Sequence, residues 1–510
     1  MPTWLSIGGI AIVIWLAALV RFRGWIATDD HAILQLRLER IQDGTIPLVG
    51  AFSRFGFHHP GPAREWIFGA LYALSGNRSA ALPATALLLN IGFAAAAAVM
   101  AFRLGGRAAL IAALAGVAMI NIGLGFDLHS PWNPFLAVIA GYAAVWGCAA
   151  MVTDRGRSWP VPLVTATFAA QSHATAFVLG LVIIGATAWV AVANRSRPGG
   201  SQRLARIAVT LFAMWSGPII DLTNGRDSNI ARILRESDRD RLGSLDALRH
   251  VSRKVLPWST WRGETTALTA DPPPTQQILV IVVLVAAISV FILRARTADR
   301  GLRALAAAAL GTIVVAWLSY AAIVLPAYPY VFAALSGTLT IMCGFGVWWM
   351  LQGVAWLESG NARWLPILAV MVAVASSAGG WIQSEPAIES PISRGLKGAL
   401  HGRVERGQVY QIVSAGMTQA STEAEVALYV EQFGGEPFSR QFHLDLPAPV
   451  SHSDVLIAAM TTALECIRSS ATPDQLVALD ISSFSGLPVG VFLLPQESAV
   501  STLEGCGITP

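Results

Sequence analysis

The sequence predicts a polytopic α-helical membrane protein with about eleven transmembrane helices and a C-terminal soluble α/β domain. Of its 510 residues, 54% are hydrophobic and 13% are charged, whereas soluble proteins have about 25% charged residues. Several apolar blocks approach the roughly 20 residues that cross the hydrocarbon core of a bilayer. Beyond about residue 382 the chain becomes rich in Ser, Glu, Asp and Gln. This composition excludes a soluble enzyme and a disordered chain.

The predicted spans follow the apolar blocks. The first, Thr3–Val20, lacks a basic start and an A-x-A cleavage site, so we interpret it as an uncleaved helix rather than a signal peptide. The other predicted spans are Ala81–Phe102, Ala108–Gly123, Pro134–Val152, Trp159–Ala170, Ala174–Ala193, Ile207–Ile220, Ile278–Leu293, Ala304–Leu325, Val331–Met350 and Trp364–Trp381.

The distribution of basic residues predicts the orientation. With a cytoplasmic N-terminus, the inner links contain thirteen Lys and Arg but three acidic residues, which is the positive-inside bias. An odd number of spans then places the C-terminus outside. The inner links are Arg103–Arg107, Thr153–Ser158, Asn194–Arg206, Arg294–Arg303 and Leu351–Arg363.

Two outer loops and the tail are large. Loop 21–79 contains a predicted interfacial helix from Asp30 to Gln42, and loop 217–276 ends in a proline run that excludes helix. We therefore predict a transmembrane catalytic domain over 1–382 and an extracytoplasmic soluble domain over 383–510.

The tail pattern alternates helices and strands. It predicts helices at Glu423–Gln432 and Asp454–Ser469, and strands at Leu476–Ile481 and Val489–Leu494. Cys466 and Cys506 both lie in this tail. A disulfide between them is expected because the predicted compartment is oxidising.

Asp29 and Asp30 follow the first span directly. Adjacent carboxylates at a membrane surface can deprotonate a hydroxyl, or hold a divalent cation through oxygen ligands. The alternative is that Thr28 or Asp29 caps the following helix while Asp30 interacts with the helix dipole.

A second polar cluster contains His58, His59 and Arg64 around the sequence Pro60-Gly61-Pro62. These side chains can neutralise a phosphate. The alternative is an ordinary Pro/Gly turn before a re-entrant helix.

A third cluster lies between the third and fourth spans. Asp127, His129 and Asn133 offer hydrogen bonds, and Trp132 offers a flat face that suits a sugar ring. For Trp132 the alternative, an interfacial anchor, is the usual role of tryptophan in membrane proteins and is favoured.

Two further groups complete the candidate residues. Gln171 and His173 interrupt an apolar stretch, where they either line a polar cavity or hold helices together. Trp215, Pro218 and Asn229 mark the start of the second large outer loop.

The order of these parts resembles the GT-C superfamily of membrane glycosyltransferases. More narrowly, it resembles bacterial members with His-Pro-Gly-Pro in the first loop (His59 to Pro62). Trp-Asn-Pro (Trp132 to Pro134), Gln-x-His (Gln171 to His173) and Trp-x-x-Pro with a downstream Gly and Asn (Trp215, Pro218, Gly225, Asn229) follow in order. The resemblance covers about residues 1–330 and each motif is short.

The resemblance implies transfer of a sugar from a polyprenyl-phosphate donor to an acceptor hydroxyl at the outer face of a bacterial plasma membrane. The acceptor is a cell-envelope glycan, glycolipid or protein, and arabinofuranose or mannose is the favoured sugar. No nucleic acid is involved. Members of the superfamily differ in whether they need a metal ion. The resemblance therefore leaves open whether Asp29 and Asp30 bind Mg²⁺ or Mn²⁺.

The expected roles follow from these two lines of inference. Asp29 and Asp30 are the candidate catalytic residues, and Asp29 is the expected base. The candidate phosphate-binding residues are His58, His59, Arg64 and His129. The candidate substrate-binding residues are Asp127, Trp132, Asn133, His173 and Asn229.

Two other classes of protein compete with this interpretation. A transporter or flippase of lipid-linked sugars needs ionisable residues within several spans and usually inverted repeats, and the sequence has neither in clear form. A non-catalytic envelope-assembly protein would not need Asp29 and Asp30 beside the histidine pair.

The predicted orientation is testable by labelling. A Ser451→Cys variant should react with a membrane-impermeant maleimide in intact cells, because residue 451 is predicted to lie outside. A cysteine at Arg197, in a predicted inner link, is the matched control and should react only after lysis. Labelling of residue 451 only after lysis would contradict the outward-facing tail.

Overall fold

The structure is a computed structural model of the full chain. It describes residues 3–27, 30–53, 57–124, 128–235, 241–255, 299–323, 329–351, 398, 400–406, 408–415, 426–430, 432, 436–438, 454–470, 475–482 and 488–506. The chain divides into two compact units. The first comprises Met1–Leu16, Pro47–Trp66 and Pro83–Ser384; the second comprises Ala17–Ile46, Ile67–Leu82 and Glu385–Pro510.

Before residue 352, all the secondary-structure elements that the structure describes are helices, apart from isolated β-bridges. Its α-helices are α1 Thr3–Arg21, α2 Asp30–Gln42, α3 Ala63–Leu74, α4 Ala81–Leu124, α5 Asn133–Thr153, α6 Pro160–Ser172, α7 Phe177–Ala193, α8 Gly200–Asp221, α9 Asn229–Arg235, α10 Ser244–Val255, α11 Arg300–Ala321, α12 Ala333–Leu339 and α13 Ile341–Leu351. Short 3₁₀ turns occupy Ala174–Ala176, Leu222–Asp227 and Pro329–Phe332.

Among the described residues, 6 helices are long and apolar enough to cross a membrane. They are Ala81–Asn121, Asn133–Thr153, Ala174–Ala193, Gly200–Gly225, Arg300–Ala321 and Ala333–Leu351. The predicted spans Ile278–Leu293 and Trp364–Trp381 lie outside the described residues, so the count of about eleven stays a prediction. The chain is a helical membrane protein.

Helix α4 contains a chain reversal. Gly105 and Gly106 have non-helical backbone angles, and Gly106 has a φ of 63°, a conformation that favours glycine. Asn90 Nδ2 donates a 2.9 Å hydrogen bond to the carbonyl of Leu128. In one straight helix Asn90 and Leu128 would lie about 57 Å apart, so α4 is two antiparallel segments. The reversal lies within the predicted link Arg103–Arg107.

Helix α5 is the central helix of the first unit, and almost all of its side chains are buried. Gly116 leaves room for Tyr142, whose hydroxyl donates to the carbonyl of Ala113 at 3.0 Å. Trp146 stacks on Trp348 with ring centroids 6.3 Å apart. This packing fixes the start of α5, where Asn133 lies.

The second unit contains α2, which has the bounds predicted from sequence. Tyr72 Oη donates to Glu39 Oε1 at 3.0 Å, and Gln42 Nε2 donates to the carbonyl of Gly69 at 3.2 Å. Ile41 packs against Gly69, where a side chain would be tight. Helix α2 therefore pairs with α3 through polar and apolar contacts together.

In the described residues of the tail, five strands form a mixed sheet with strand order β2-β1-β3-β5-β4. Strand β1 pairs in parallel with β2 and β3, and β5 pairs antiparallel with β3 and β4. The strands are β1 Val409–Ala415, β2 Glu436–Phe438, β3 Asp454–Met460, β4 Leu476–Ser482 and β5 Pro488–Leu494. Helices α14 Thr461–Ser470 and α15 Gln496–Gly505 complete the described elements of this region.

The helix predicted over Asp454–Ser469 is wrong in its first half. Residues Asp454–Met460 form strand β3, and the helix begins at Thr461. The run of apolar residues before Thr461 has no period that separates a strand from a buried helix. The segment is a strand because its backbone pairs with β1 on one side and β5 on the other.

The strands predicted at Leu476–Ile481 and Val489–Leu494 correspond to β4 and β5. Cys466 and Cys506 form a disulfide with Cα atoms 5.9 Å apart. The bond joins the helix after β3 to the end of α15, beside a core that contains Ile467, Phe492 and Leu503. The domain division at residue 382 stays a prediction.

Candidate functional site

The two adjacent histidines lie in a segment that forms an antiparallel β-bridge, between Phe52 and His58, before α3; the described residues 50–53 and 57–59 are called the hairpin below. The Gly50 amide donates to the carbonyl of His59 at 3.0 Å, and the His59 amide donates to the carbonyl of Ala51 at 2.8 Å. The Ser53 amide donates to the carbonyl of Phe57 at 2.7 Å. Both histidines are buried, so the hairpin carries polar rings into the interior of the first unit.

The protonation of the His58 ring follows from its acceptor. His58 Nδ1 lies 3.0 Å from the carbonyl oxygen of Gly50. A carbonyl only accepts, so Nδ1 carries the proton and Nε2 is the acceptor nitrogen of the neutral ring. The ring of Phe52 packs edge-on against it, with centroids 5.1 Å apart.

The His59 ring has the opposite tautomer. The backbone amide of Ala174 donates to His59 Nδ1 at 3.1 Å, so the neutral ring carries its proton on Nε2. His59 and His173 lie with ring centroids 4.9 Å apart, and His173 Nδ1 contacts Thr175 Oγ1 at 2.8 Å. The two rings therefore have opposite tautomers, with the proton on Nδ1 of His58 and on Nε2 of His59.

His173 lies between α6 and the span that begins at Ala174. Burial lowers the pKa of His173 to about 3. The ring is therefore neutral at physiological pH, and it packs against His59 without adding a positive charge.

Asn229 bonds to the hairpin backbone in both directions. Its Oδ1 accepts from the His58 amide at 2.7 Å, and its Nδ2 donates to the His58 carbonyl at 2.8 Å. Its own backbone amide donates to Asp221 Oδ2 at 2.7 Å. Asn229 and Asp221 are both buried. Both of these side-chain hydrogen bonds of Asn229 are to the His58 backbone. The substrate-binding role expected for Asn229 stays a prediction.

Gln171 fastens the segment that follows the hairpin. Its Oε1 accepts from the Ala63 amide at 3.1 Å, and its Nε2 donates to the carbonyl of Met214 at 2.7 Å. Gly61 is a glycine because a Cβ would overlap the Gln171 side chain. Of the two interpretations of Gln171, these contacts favour the one in which it holds helices together.

Asn133 and Trp132 lie at the start of α5. Asn133 Nδ2 donates to the carbonyl of Ser172 at 3.2 Å, which joins α5 to the residue before His173. Trp132 is half-buried and packs edge-on against Phe135 at 5.1 Å. His129 is also half-buried and lies four residues before Asn133.

Arg64 forms a buried ion pair that the sequence patterns did not predict. Its Nη2 lies 2.6 Å from Glu65 Oε1, and both side chains are almost fully buried. The other carboxylate oxygen of Glu65 is buried without a hydrogen-bond partner in the described part of the chain. The adjacent acidic residue was the available signal, because a buried guanidinium needs a counter-charge.

The structure brings one subset of the predicted residues together. His58, His59, His173, Asn133 and Asn229 belong to one connected set of contacts in the first unit. Asp30 begins α2 in the second unit, while Asp29 and Asp127 lie outside the described residues. Among residues that are described, no group of three or more His, Cys, Asp or Glu could hold a metal ion.

The sequence matches no protein-family model and no curated protein. Among solved structures, it is similar to ArnT from Cupriavidus metallidurans in the apo state, with a TM-score of 0.51 and 12% identity over 100% of this chain and 99% of that chain. The fold is ArnT-like. ArnT bound to undecaprenyl phosphate is also similar, with a TM-score of 0.49 and 12% identity over 96% and 98% of the two chains.

At this identity the likeness shows the fold alone. The narrower resemblance to arabinofuranosyl- and mannosyltransferases is not addressed by it.

Gln171→Leu should lower the free energy of unfolding by about 2 kcal/mol, because it removes the side-chain partner of the buried Ala63 amide and of the half-buried Met214 carbonyl. Thermal unfolding in detergent measures the effect. The matched control is Ser172→Ala, since Ser172 Oγ is buried without a hydrogen bond in the described residues, and this variant should unfold like wild type. Equal unfolding temperatures for Gln171→Leu and wild type would contradict the anchoring role.

Proposed function

We propose that the protein is an inverting glycosyltransferase that moves a sugar from a polyprenyl-phosphate donor to an acceptor hydroxyl. The observation that carries this proposal is the buried histidine pair, whose tautomers are set by Gly50 and Ala174. The ArnT-like fold supports the class of lipid-linked sugar transferase. The acceptor is a glycan, glycolipid or protein of the cell envelope at the outer face of the plasma membrane.

The histidine pair suits a phosphate. His59 Nε2–H donates a hydrogen bond to a phosphate oxygen, while His58 Nε2 takes up a proton and becomes cationic beside it. A charge-assisted hydrogen bond to phosphate is about twice as strong as a neutral one. In this proposal His58 and His59 stabilise the charge that develops as the polyprenyl phosphate leaves.

Arg64 and His129 complete the proposed phosphate site. The Glu65 carboxylate offsets the charge of Arg64, so Arg64 contributes directed N–H donors more than net charge. ArnT binds undecaprenyl phosphate, which makes that lipid the first carrier to test here.

Asp29 is the proposed base and Asp30 the residue that orients reacting groups or holds a divalent cation. One carboxylate taking the acceptor proton during in-line attack inverts the anomeric centre. Retention by double displacement needs carboxylates on opposite sides of the sugar, and adjacent residues do not provide that arrangement. A bound Mg²⁺ or Mn²⁺ would add charge stabilisation at the leaving phosphate.

The sugar-binding part of the proposal concerns Asp127, Trp132, Asn133 and His173. The aromatic face of Trp132 packs on a sugar ring, and polar side chains bond to its hydroxyls. Arabinofuranose and mannose are the favoured sugars through the family resemblance alone. Transport of lipid-linked sugars is the alternative function that the assay must separate.

The test is transfer by purified protein from a panel of radiolabelled undecaprenyl- and decaprenyl-phosphate sugars, with Mg²⁺, Mn²⁺ or EDTA. Wild type should consume one donor and release the polyprenyl phosphate. Asp29→Asn and Asp30→Asn should reduce turnover at least about 100-fold, the scale of lost acid–base catalysis.

Asp43→Asn is the matched control, because Asp43 is an exposed carboxylate that follows α2 and pairs with Arg40. Its turnover should equal that of wild type. Full turnover in both single variants and in the double variant would overturn the assignment of the base. Movement of the donor across the bilayer of proteoliposomes, without release of polyprenyl phosphate, would favour transport of lipid-linked sugars as the function.

A further inference from the structure

We propose that Asp221 and Asn229 form a positioning pair that fixes the phosphate-binding histidines, and this inference rests on the proposed function. In this inference both residues act through His58, and for Asn229 this replaces the direct substrate contact expected from the sequence. Their role is to hold the His58 backbone in the one placement that aims both rings at the phosphate.

The pair forms a continuous chain of short, buried hydrogen bonds. Asp221 accepts from the Asn229 amide at 2.7 Å, and the Asn229 side chain accepts from and donates to the His58 backbone at 2.7 and 2.8 Å. The Asn229 side-chain amide also lies 3.5 Å from the carbonyl of His59. The pair therefore reaches both histidines.

The two bonds to His58 imitate the pairing of a neighbouring strand. The His58 amide and carbonyl belong to the two peptide planes on either side of its Cα atom, so bonding both to one planar side-chain group restricts both planes. His58 Nδ1 is simultaneously bonded to Gly50. Backbone and ring are thus constrained together, and Nε2 has a defined direction.

Asp221 anchors the pair to the transmembrane helices, because it is the last residue of α8. The same end of α8 packs tightly against the hairpin region: Gly217 leaves space for the Leu48 carbonyl, Pro62 and Trp66. Both packing and hydrogen bonds therefore connect the end of α8 to the histidines, so the position of α8 determines where the histidines lie.

The hydrogen bond from the Asn229 backbone amide to Asp221 also stabilises the start of α9. Asn229 begins α9, and the first amides of a helix have no partner within it. The Asp221 carboxylate satisfies that amide and is favourably placed at the positive end of the helix. Loss of this acceptor would release the helix start, and with it the side chain that holds His58.

The test compares Asp221→Ala with Asp221→Asn, since an asparagine retains an oxygen that can accept from the Asn229 amide. Undecaprenyl phosphate binding to the purified full chain is measured by calorimetry, at a temperature at which circular dichroism shows each variant to be folded. Asp221→Ala should weaken binding about tenfold or more, the scale of a lost hydrogen bond to a charged group. Asp221→Asn should retain most of the affinity.

Asn224→Ala is the control, because Asn224 is exposed on the same turn and lies 3.5 Å from Asp221 at the limit of a hydrogen bond. It should bind like wild type. If Asp221→Ala fails to fold, Asn229→Ala and Asn229→Asp replace it, since both lose the donor to the His58 carbonyl.

Rescue by the conservative variant separates positioning from general stability. With both variants folded at the temperature of the measurement, Asp221→Asn should restore the affinity that Asp221→Ala loses.

The outcomes distinguish the two proposals. Failure of wild type to bind either undecaprenyl or decaprenyl phosphate would remove the proposed function. Wild-type binding with unchanged affinity in Asp221→Ala would overturn the positioning pair alone. Equal losses in Asp221→Ala and Asp221→Asn would also overturn it, because the charge and not the acceptor would then matter.

Discussion

A buried hairpin must have its polar groups bonded, and this constraint organises the first unit. The segment around His58 and His59 brings backbone amides, carbonyls and two imidazoles among apolar helices, where each unbonded group costs about 1–3 kcal/mol. The partners come from distant parts of the chain: Asn229 for the His58 backbone, Ala174 for the His59 ring and Gln171 for the amide of Ala63. The bonds that stabilise the hairpin also decide its chemistry, because a carbonyl at one ring and an amide at the other produce opposite tautomers.

Local features were predictable from sequence, whereas distant pairings were not. The bounds of α2 and the reversal near Gly105 follow from short-range signals, a helix ending at Asp43-Gly44 and a basic link between apolar blocks. The strand Asp454–Met460 was mistaken for helix because its formation depends on pairing with β1 and β5. The pairing of Asn229 with His58 spans 171 residues, and no local pattern encodes it.

The candidate site shows the same division. Sequence motifs pointed to His58, His59, His173, Asn133 and Asn229, and the structure connects these residues by contacts in one unit. Sequence could not say that the Asn133 and Asn229 amides bond to backbone, because residue type does not reveal the partner. It also assigned no partner to Glu65 or Asp221, whose bonds to Arg64 and Asn229 are visible only once burial and distances are known.

The central claim is that the phosphate of a polyprenyl carrier binds at the histidine pair. A cryo-electron microscopy structure with undecaprenyl phosphate bound measures this directly. Phosphate oxygens should lie within about 3.2 Å of Nε2 of His58 and of His59, the range of a hydrogen bond, with the Asn229 bonds to His58 intact. A phosphate bound elsewhere, with both Nε2 atoms more than about 6 Å away and beyond any direct hydrogen bond, would contradict the account.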